Sequence, residues 1–278
     1  MKHPLLIIFI SIAGTFLLEK VWSQNALLPP KNGKVYVIAH RGVHNEIPEN
    51  SLAAYQKAID LGCDFVEIDA RTTKDGEIVS IHNKTVDAYV VGKTGMVSEL
   101  TLAELKSLDI GERLGSKWKN TRIPTFDEIL ELCQGKIGIY LDLKDADPAL
   151  LISKIRQYQM ERQIVWYIPA SYHKTIMEIM QTCPECMVMP DPGSEQNIEQ
   201  VVTAYRPKVI ATDMGHLSET YTEKAHKNMI MVFVDDNEDD PAKKRIEWDK
   251  IMNWETDGIQ TDQPEELIEY VKEKNRDQ

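Results

Sequence analysis

Residues 35–42 read VYVIAHRG, five consecutive apolar or aromatic residues followed at once by His40, Arg41 and Gly42. A run without polar alternation suits a strand covered on both faces, which is how strands sit in a parallel sheet. The abrupt change to an imidazole and a guanidinium raises the functional question. Desolvating such groups is costly unless something compensates, so their place at the end of a buried strand points to a bound anion, a carboxylate or a metal nearby. Taken alone, an ordinary strand-end histidine and a solvated arginine explain the pair equally well. The rest of the chain has to decide.

Comparable runs recur along the chain: DFVEID (64–69), EIVSIH (77–82), KIGIYLDLK (136–144), QIVWYI (163–168), CMVM (186–189), KVIAT (208–212), MIMVFV (229–234) and DGIQT (257–261). Helical spacing separates most of them, in SLAAYQKAIDLG with Gly62 as a C-cap, TLAELKSL, TFDEILELCQ, PALLISKIRQYQ and PEELIEYVKEK. Short strands alternating with helices predict an α/β chain with a parallel sheet, and a (β/α)8 TIM barrel is its most economical closure. These runs and VYVIA make one strand more than such a barrel needs. The link from Asp69 to Ile78 is too short for a crossover helix, so DFVEID and EIVSIH are expected as a hairpin-like pair in a somewhat distorted barrel. Residues 83–124 hold no obvious barrel strand and read as a small insertion on the catalytic face. No second domain is expected in residues 24–278.

Composition narrows the functional classes. The 278-residue chain is 42% hydrophobic and 27% charged, enough for a sizeable core, and its formal net charge of -12 argues against nucleic acid as a partner. Lys2 and the apolar run Leu5–Leu18 fit a secretory signal, with small side chains at Val21 and Ser23 before Gln24. Cleavage after residue 23 would leave an exported protein, periplasmic or secreted, with no stable membrane insertion. Of Cys63, Cys133, Cys183 and Cys186, the first two read as small core residues. The CPEC pair lacks a redox setting, and in an oxidising compartment it is free to form a surface disulfide.

The chemistry is concentrated at the strand ends: His40 and Arg41, Glu67 and Asp69, His82, and Asp142 and Lys144. Residues i and i+2 of a strand share a face, so Glu67 with Asp69, and Asp142 with Lys144, point the same way. In a barrel the catalytic face is where the strands finish. Three carboxylates brought together repel one another unless a hard, oxygen-seeking cation sits among them, which implies one divalent ion, Ca²⁺ or Mg²⁺. Arg41 and Lys144 suit an anionic substrate, and two histidines suffice for proton transfer to and from oxygen. The set describes phosphoryl chemistry on a phosphodiester.

HRG, PENS, FVEID, TKDG, IH, TLAEL, IPTFDEIL, LDLK and GIQTDQP, in that order and over nearly all of the chain after residue 23, resemble the glycerophosphodiester phosphodiesterase family. The resemblance implies a TIM barrel and metal-dependent hydrolysis of small-molecule glycerophosphodiesters to glycerol 3-phosphate and an alcohol. It implies His40 and His82 as catalytic, Arg41 and Lys144 at the phosphate, and Glu67, Asp69 and Asp142 on the metal. Glu49 and Asn50, from PENS, match a polar motif beside the first histidine and are expected to help bind substrate. Alternatives within reach of the same residues are a phospholipase acting on an intact lipid head group and a catalytically silent binder of phosphorylated alcohols.

The chain also departs from the family pattern. Asn83 stands where Asp is usual, Asp142 where Glu is usual, and Gln263 where Arg is common. MVFVDDNEDD (231–240) replaces a Trp-Thr-Val-Asn stretch, and its acidic run from Asp235 to Asp240 is expected to be a solvated loop. His44, His173, His216 and His226 have no matched partners and no expected role.

Overall fold

The computed structural model describes residues 27–276; the expected export segment, residues 1–23, lies outside the described residues. The strands are β1 (Tyr36–Ala39), β2 (Phe65–Thr72), β3 (Ile78–Ser80), β4 (Gly138–Leu143), β5 (Ile164–Pro169), β6 (Met187–Asp191), β7 (Val209–Asp213), β8 (Met231–Asp235) and β9 (Gly258–Thr261). Eight of them follow one another in the order β6, β5, β4, β2, β1, β9, β8, β7, with every ladder along that path parallel. Strands β6 and β7 lie side by side at the remaining seam, so the sheet is a nearly closed (β/α)8 barrel. The ninth strand, β3, pairs antiparallel with the upper part of β2, Thr72 opposite Ile78 and Ala70 opposite Ser80.

That hairpin is set by local chemistry in TTKDG. Thr73 Oγ1 donates to Asp75 Oδ1 at 2.6 Å, the Gly76 amide donates to the Thr73 carbonyl at 3.1 Å, and Gly76 takes the left-handed φ of 84° that closes the turn. The consequence is functional, because the returning strand delivers His82 to the level of Asp69, whose carbonyl accepts the Ile81 amide at 3.1 Å. Beyond it, residues 83–124 have a small core of their own. Val86, Val90, Val97, Leu105, Ile110 and Ile123 pack against Val79 and Ile81 of the hairpin.

Period-two alternation divides the barrel strands between two cores. Outward residues such as Val37, Ala39, Val66, Ile68, Leu141 and Ile259 meet the helices, while Tyr36, Ile38, Phe65, Tyr140, Val165, Met189, Ala211 and Phe233 fill the interior. Tyr36, Phe65 and Phe233 contact one another with ring centroids 5.3 to 5.9 Å apart, forming the barrel floor. Glycine makes room for them: a Cβ on Gly138 would lie 2.4 Å from the Phe65 ring, and one on Gly258 would lie 2.5 Å from that of Phe233. With large and small residues alternating below, the polar residues are carried to the upper rim.

Three sequence expectations change. Four helices not evident from apolar spacing, His173–Thr182, Ile198–Tyr205, Glu219–Lys227 and Pro241–Asn253, supply crossovers in the C-terminal half. Their buried stripes are thin or part-polar; Glu219–Lys227 buries only Tyr221, Thr222 and Ala225. The acidic run does not begin as a solvated loop, because Asp235 completes β8 and Asp236 is buried. Lys244 Nζ at 2.7 Å and Trp248 Nε1 at 2.8 Å donate to the Asp236 carboxylate, satisfying a charge that burial alone would disfavour. Lastly, Cys183 and Cys186 are joined in a disulfide with a Cα separation of 5.3 Å, but Cys183 is buried beneath its helix rather than on the surface. Cys63 and Cys133 are free and buried, and burial pushes both thiols up to about 12.

Candidate active site

At the C-terminal ends of β2 and β4, Glu67, Asp69 and Asp142 bring one carboxylate oxygen each to within 4.8 Å of the others. Strand register explains the convergence: Asp69 and Asp142 are partners across the β2–β4 ladder, and Glu67 lies two residues below Asp69 on the same face. Glu67 and Asp69 are fully buried and Asp142 is partly so. Burial first, and then the neighbouring Asp69 charge, raises the Glu67 carboxyl well above its usual range; burial also raises Asp142 against the pull of Lys144.

Fixed donors hold this cluster from both sides. Lys144 Nζ donates to Asp142 Oδ2 at 2.5 Å and lies 3.3 Å from Asp69 Oδ1. The Arg41 amide donates to Glu67 Oε2 at 2.8 Å, an approach made possible by a left-handed turn with φ 51° at Arg41 and 79° at Gly42. Gly42 is required there, since a Cβ would meet Ala54 at 2.7 Å. Arg41's guanidinium is clamped by Glu49, with both carboxylate oxygens 3.2 Å from Nη1. Asn50 Nδ2 donates to Asp69 Oδ2 at 2.7 Å, while its Oδ1 accepts from Tyr55 and Ser80 at 2.8 Å each. Asn50 is buried and spends its side chain on holding Asp69; Glu49 spends its own on Arg41.

These contacts leave Asp69 Oδ1 buried without a hydrogen bond, although Lys144 is near. An unsatisfied carboxylate oxygen among two further carboxylates is a hard, all-oxygen donor set, and it fits a divalent cation such as Ca²⁺ or Mg²⁺.

Each of the two histidines has a partner of its own. His40 Nδ1 bonds to Asp262 Oδ1 at 2.7 Å. Burial works against its charge, but the Asp262 hydrogen bond and the nearby Glu67 and Asp235 carboxylates prevail and lift it to about 9. Asp262 in turn is held down to about 2: burial opposes this, and the bond to His40 outweighs it. His82 Nδ1 meets Asn83 Oδ1 at 3.0 Å, so the asparagine still orients the ring, now as a neutral acceptor. Arg71 fixes the His82 backbone, donating to its carbonyl from Nη2 at 2.6 Å and Nε at 3.1 Å while pairing with Asp145 at 2.5 Å.

Sequence reading did not pick out Asp262 or Arg71, although the signal was present. Arg71 continues the alternation of Glu67 and Asp69 along β2, and Asp262 is the polar residue that ends GIQT as His40 ends VYVIA. Among the described residues, the four other histidines all have partners. His44 lies 3.5 Å from the same Asp262 oxygen as His40, and His173, His216 and His226 bond to Tyr205, Asp213 and Asp257.

Carboxylates crowded against fixed cations are organised to hold an anionic ester, and the class so defined is the phosphoric diester hydrolases of barrel type. Known proteins bear this out. The sequence model of the glycerophosphoryl diester phosphodiesterase family matches residues 40–174. A glycerophosphodiester phosphodiesterase of Caldanaerobacter subterraneus subsp. tengcongensis is 32% identical over 253 residues, spanning 86% of this chain and 98% of the relative. The chain therefore belongs to the glycerophosphoryl diester phosphodiesterase family. Its fold is that of a glycerophosphodiester phosphodiesterase from Agrobacterium tumefaciens, with a TM-score of 0.72 and 24% identity over 84% of this chain and 99% of that one. It is also that of an Oleispira antarctica phosphodiesterase solved with its product sn-glycerol-3-phosphate, with a TM-score of 0.76 and 21% identity over 85% and 96% of the two chains.

The His40–Asp262 pair makes a direct prediction. A histidine raised in the folded state lends stability in full below its unfolded value of about 6.5, and that stability is lost as pH rises towards its folded value. After chelation, NMR titration of His40 should give a value near 9. Asp262→Asn should lower it markedly and flatten the decline in melting temperature between these limits. A His40 titration unmoved by Asp262→Asn would refute the pairing.

Proposed function

We propose that this protein hydrolyses glycerophosphodiesters to glycerol 3-phosphate and an alcohol, with one divalent cation, Ca²⁺ or Mg²⁺, held by Glu67, Asp69 and Asp142. The observation that carries the metal assignment is the buried cluster, in which Asp69 Oδ1 has no hydrogen bond. When bound, such an ion supplies charge compensation for the phosphate and acidifies a coordinated hydroxyl. Arg41 and Lys144 stand beside the cluster to bind the phosphate oxygens, the guanidinium bidentately if Glu49 yields one of its contacts. Asn50 serves as a positioning residue for Asp69 rather than as a direct contact to substrate. Retention of both imidazoles together with the acidic cluster speaks against a silent binder.

The hydrogen bonds support one direction of proton traffic. Asn83 Oδ1 accepts from His82 Nδ1–H, which leaves the other ring nitrogen with a lone pair to act as base. His40, kept protonated through Asp262, is the acid. His82 takes the proton of the glycerol 2-hydroxyl as its oxygen attacks phosphorus, and His40 protonates the alcohol oxygen as its bond to phosphorus breaks. Water then attacks the cyclic phosphate and gives a proton to His40, while the bond to the glycerol 2-oxygen breaks and that oxygen takes a proton from His82. Export, expected from residues 1–23, would place this reaction outside the cytoplasm.

Glu67→Ala and Asp69→Ala should each abolish turnover and cation binding while leaving a folded barrel. Unchanged cation affinity by calorimetry in both variants would remove the metal assignment. EDTA should silence the native protein, and Ca²⁺ or Mg²⁺ should restore it.

A 2-deoxy glycerophosphodiester should bind but turn over poorly, and Ala at His40 or His82 should lower kcat by roughly 10² to 10⁴ with little effect on substrate affinity. Equal kcat for the deoxy and native substrates would exclude internal attack and demote the histidines to positioning. For export, mass spectrometry of the native protein should find an N-terminus near Gln24; a soluble form retaining Met1 would contradict it.

A further inference from the structure

The half of the rim opposite the carboxylate cluster has a chemistry of its own. Asp191, Asp213 and Asp235 end β6, β7 and β8, and the last two are register partners. Tyr167 on β5 donates to Asp191 Oδ2 at 3.1 Å, and its ring stacks on that of Tyr140 beneath. The Gly193 amide donates to Asp191 at 2.7 Å; Asp213 accepts from the Gly215 amide at 2.7 Å and from His216 at 3.0 Å.

Gln260 on β9 supplies an independent sign of a ligand. It alternates with Ile259 of the helix-side core and is the register partner of both Ile38 and Asp235, so its side chain turns into the barrel. It is only 7% exposed, yet its Oε1 has no hydrogen-bond partner. Its side chain bonds to Asp235, yet the Oε1 end of the amide is left without a donor, and beside that carboxylate it calls for a ligand that brings both donors and positive charge. A second inorganic ion is a poor fit. Among the described residues, the spacing able to cage an ion is met by Glu67, Asp69 and Asp142 and not by this group. The acids end three neighbouring strands, a spread suited to an organic cation.

We propose that these acids select the leaving alcohol, favouring a diester whose alcohol carries a positively charged amine. The inference rests on the diesterase reading above. With phosphate held between Arg41 and Lys144, the alcohol has to project across the mouth towards β6–β8. An ammonium there compensates the acids and donates to Gln260 Oε1; a neutral polyol offers donors without charge, and an anionic alcohol is repelled.

The test compares kcat/KM for glycerophosphoethanolamine and glycerophosphoglycerol on the metal-loaded, full-length enzyme, its Asp191→Asn variant and its Asp213→Asn variant, each checked by thermal melting. The cationic diester should be preferred by roughly tenfold at low ionic strength. The ratio should shrink as salt is added, and fall several-fold in either variant. A native ratio near one, or a ratio unchanged in a variant that melts like the native protein, overturns the assignment and leaves the diesterase reading standing. Turnover of neither diester would instead bring down both.

Discussion

Everything on the rim follows from the cost of burying like charges together. Glu67, Asp69 and Asp142 converge within 4.8 Å at the top of a barrel whose interior offers little solvent. Their repulsion has to be met by the protein around them. Lys144 meets part of it, the Arg41 amide another part, and the Asn50 amide a third. Each answer imposes its own requirement. Arg41 and Asn50 both adopt left-handed backbone, at φ 51° and 50°, to aim those groups inward, and Asn50 depends on Tyr55 and Ser80 behind it. The loop from His40 to Ser51 is thus shaped by the carboxylates it serves.

The same constraint explains which parts of the architecture were legible in the sequence. Ionisable residues at the ends of apolar strands stand out because a buried charge needs a reason, and by that logic His40, Glu67, Asp69, Asp142 and Lys144 are readable. The hairpin of β2 and β3 is readable too, since no crossover helix fits between Asp69 and Ile78. Residues that work through others leave a fainter trace. Arg71 resembles any strand arginine until its bonds to the His82 carbonyl are seen, and Asp262 lies far along the chain from the histidine it charges. Asp236 was hidden by its neighbours: five acids and an asparagine in a row read as solvated, whereas Lys244 and Trp248, supplied by the following helix, draw one of them inside.

Polarity is distributed unevenly around the mouth. Strands β1 to β4 combine the carboxylates with Arg41 and Lys144, whereas β6 to β8 present acids, one of them bonded to His216. A barrel allows this division because each strand contributes its own end residue, and neighbouring ends can change without disturbing the floor of Tyr36, Phe65 and Phe233. The half that carries Glu67, Asp69 and Asp142 is constrained by its own repulsion.

Asp262 and Asn83 hold the two histidines differently. Each side chain accepts from the Nδ1 of one histidine, but one is an anion and the other is neutral. An aspartate at position 83 would add another negative charge near Asp142, whose carboxyl already feels the His82 imidazole, and would favour a second imidazolium. Asparagine keeps the orientation and omits the charge. A charged partner holds the ring of His40 and a neutral one holds that of His82, and on the proposed reading this difference is what separates an acid from a base on one rim.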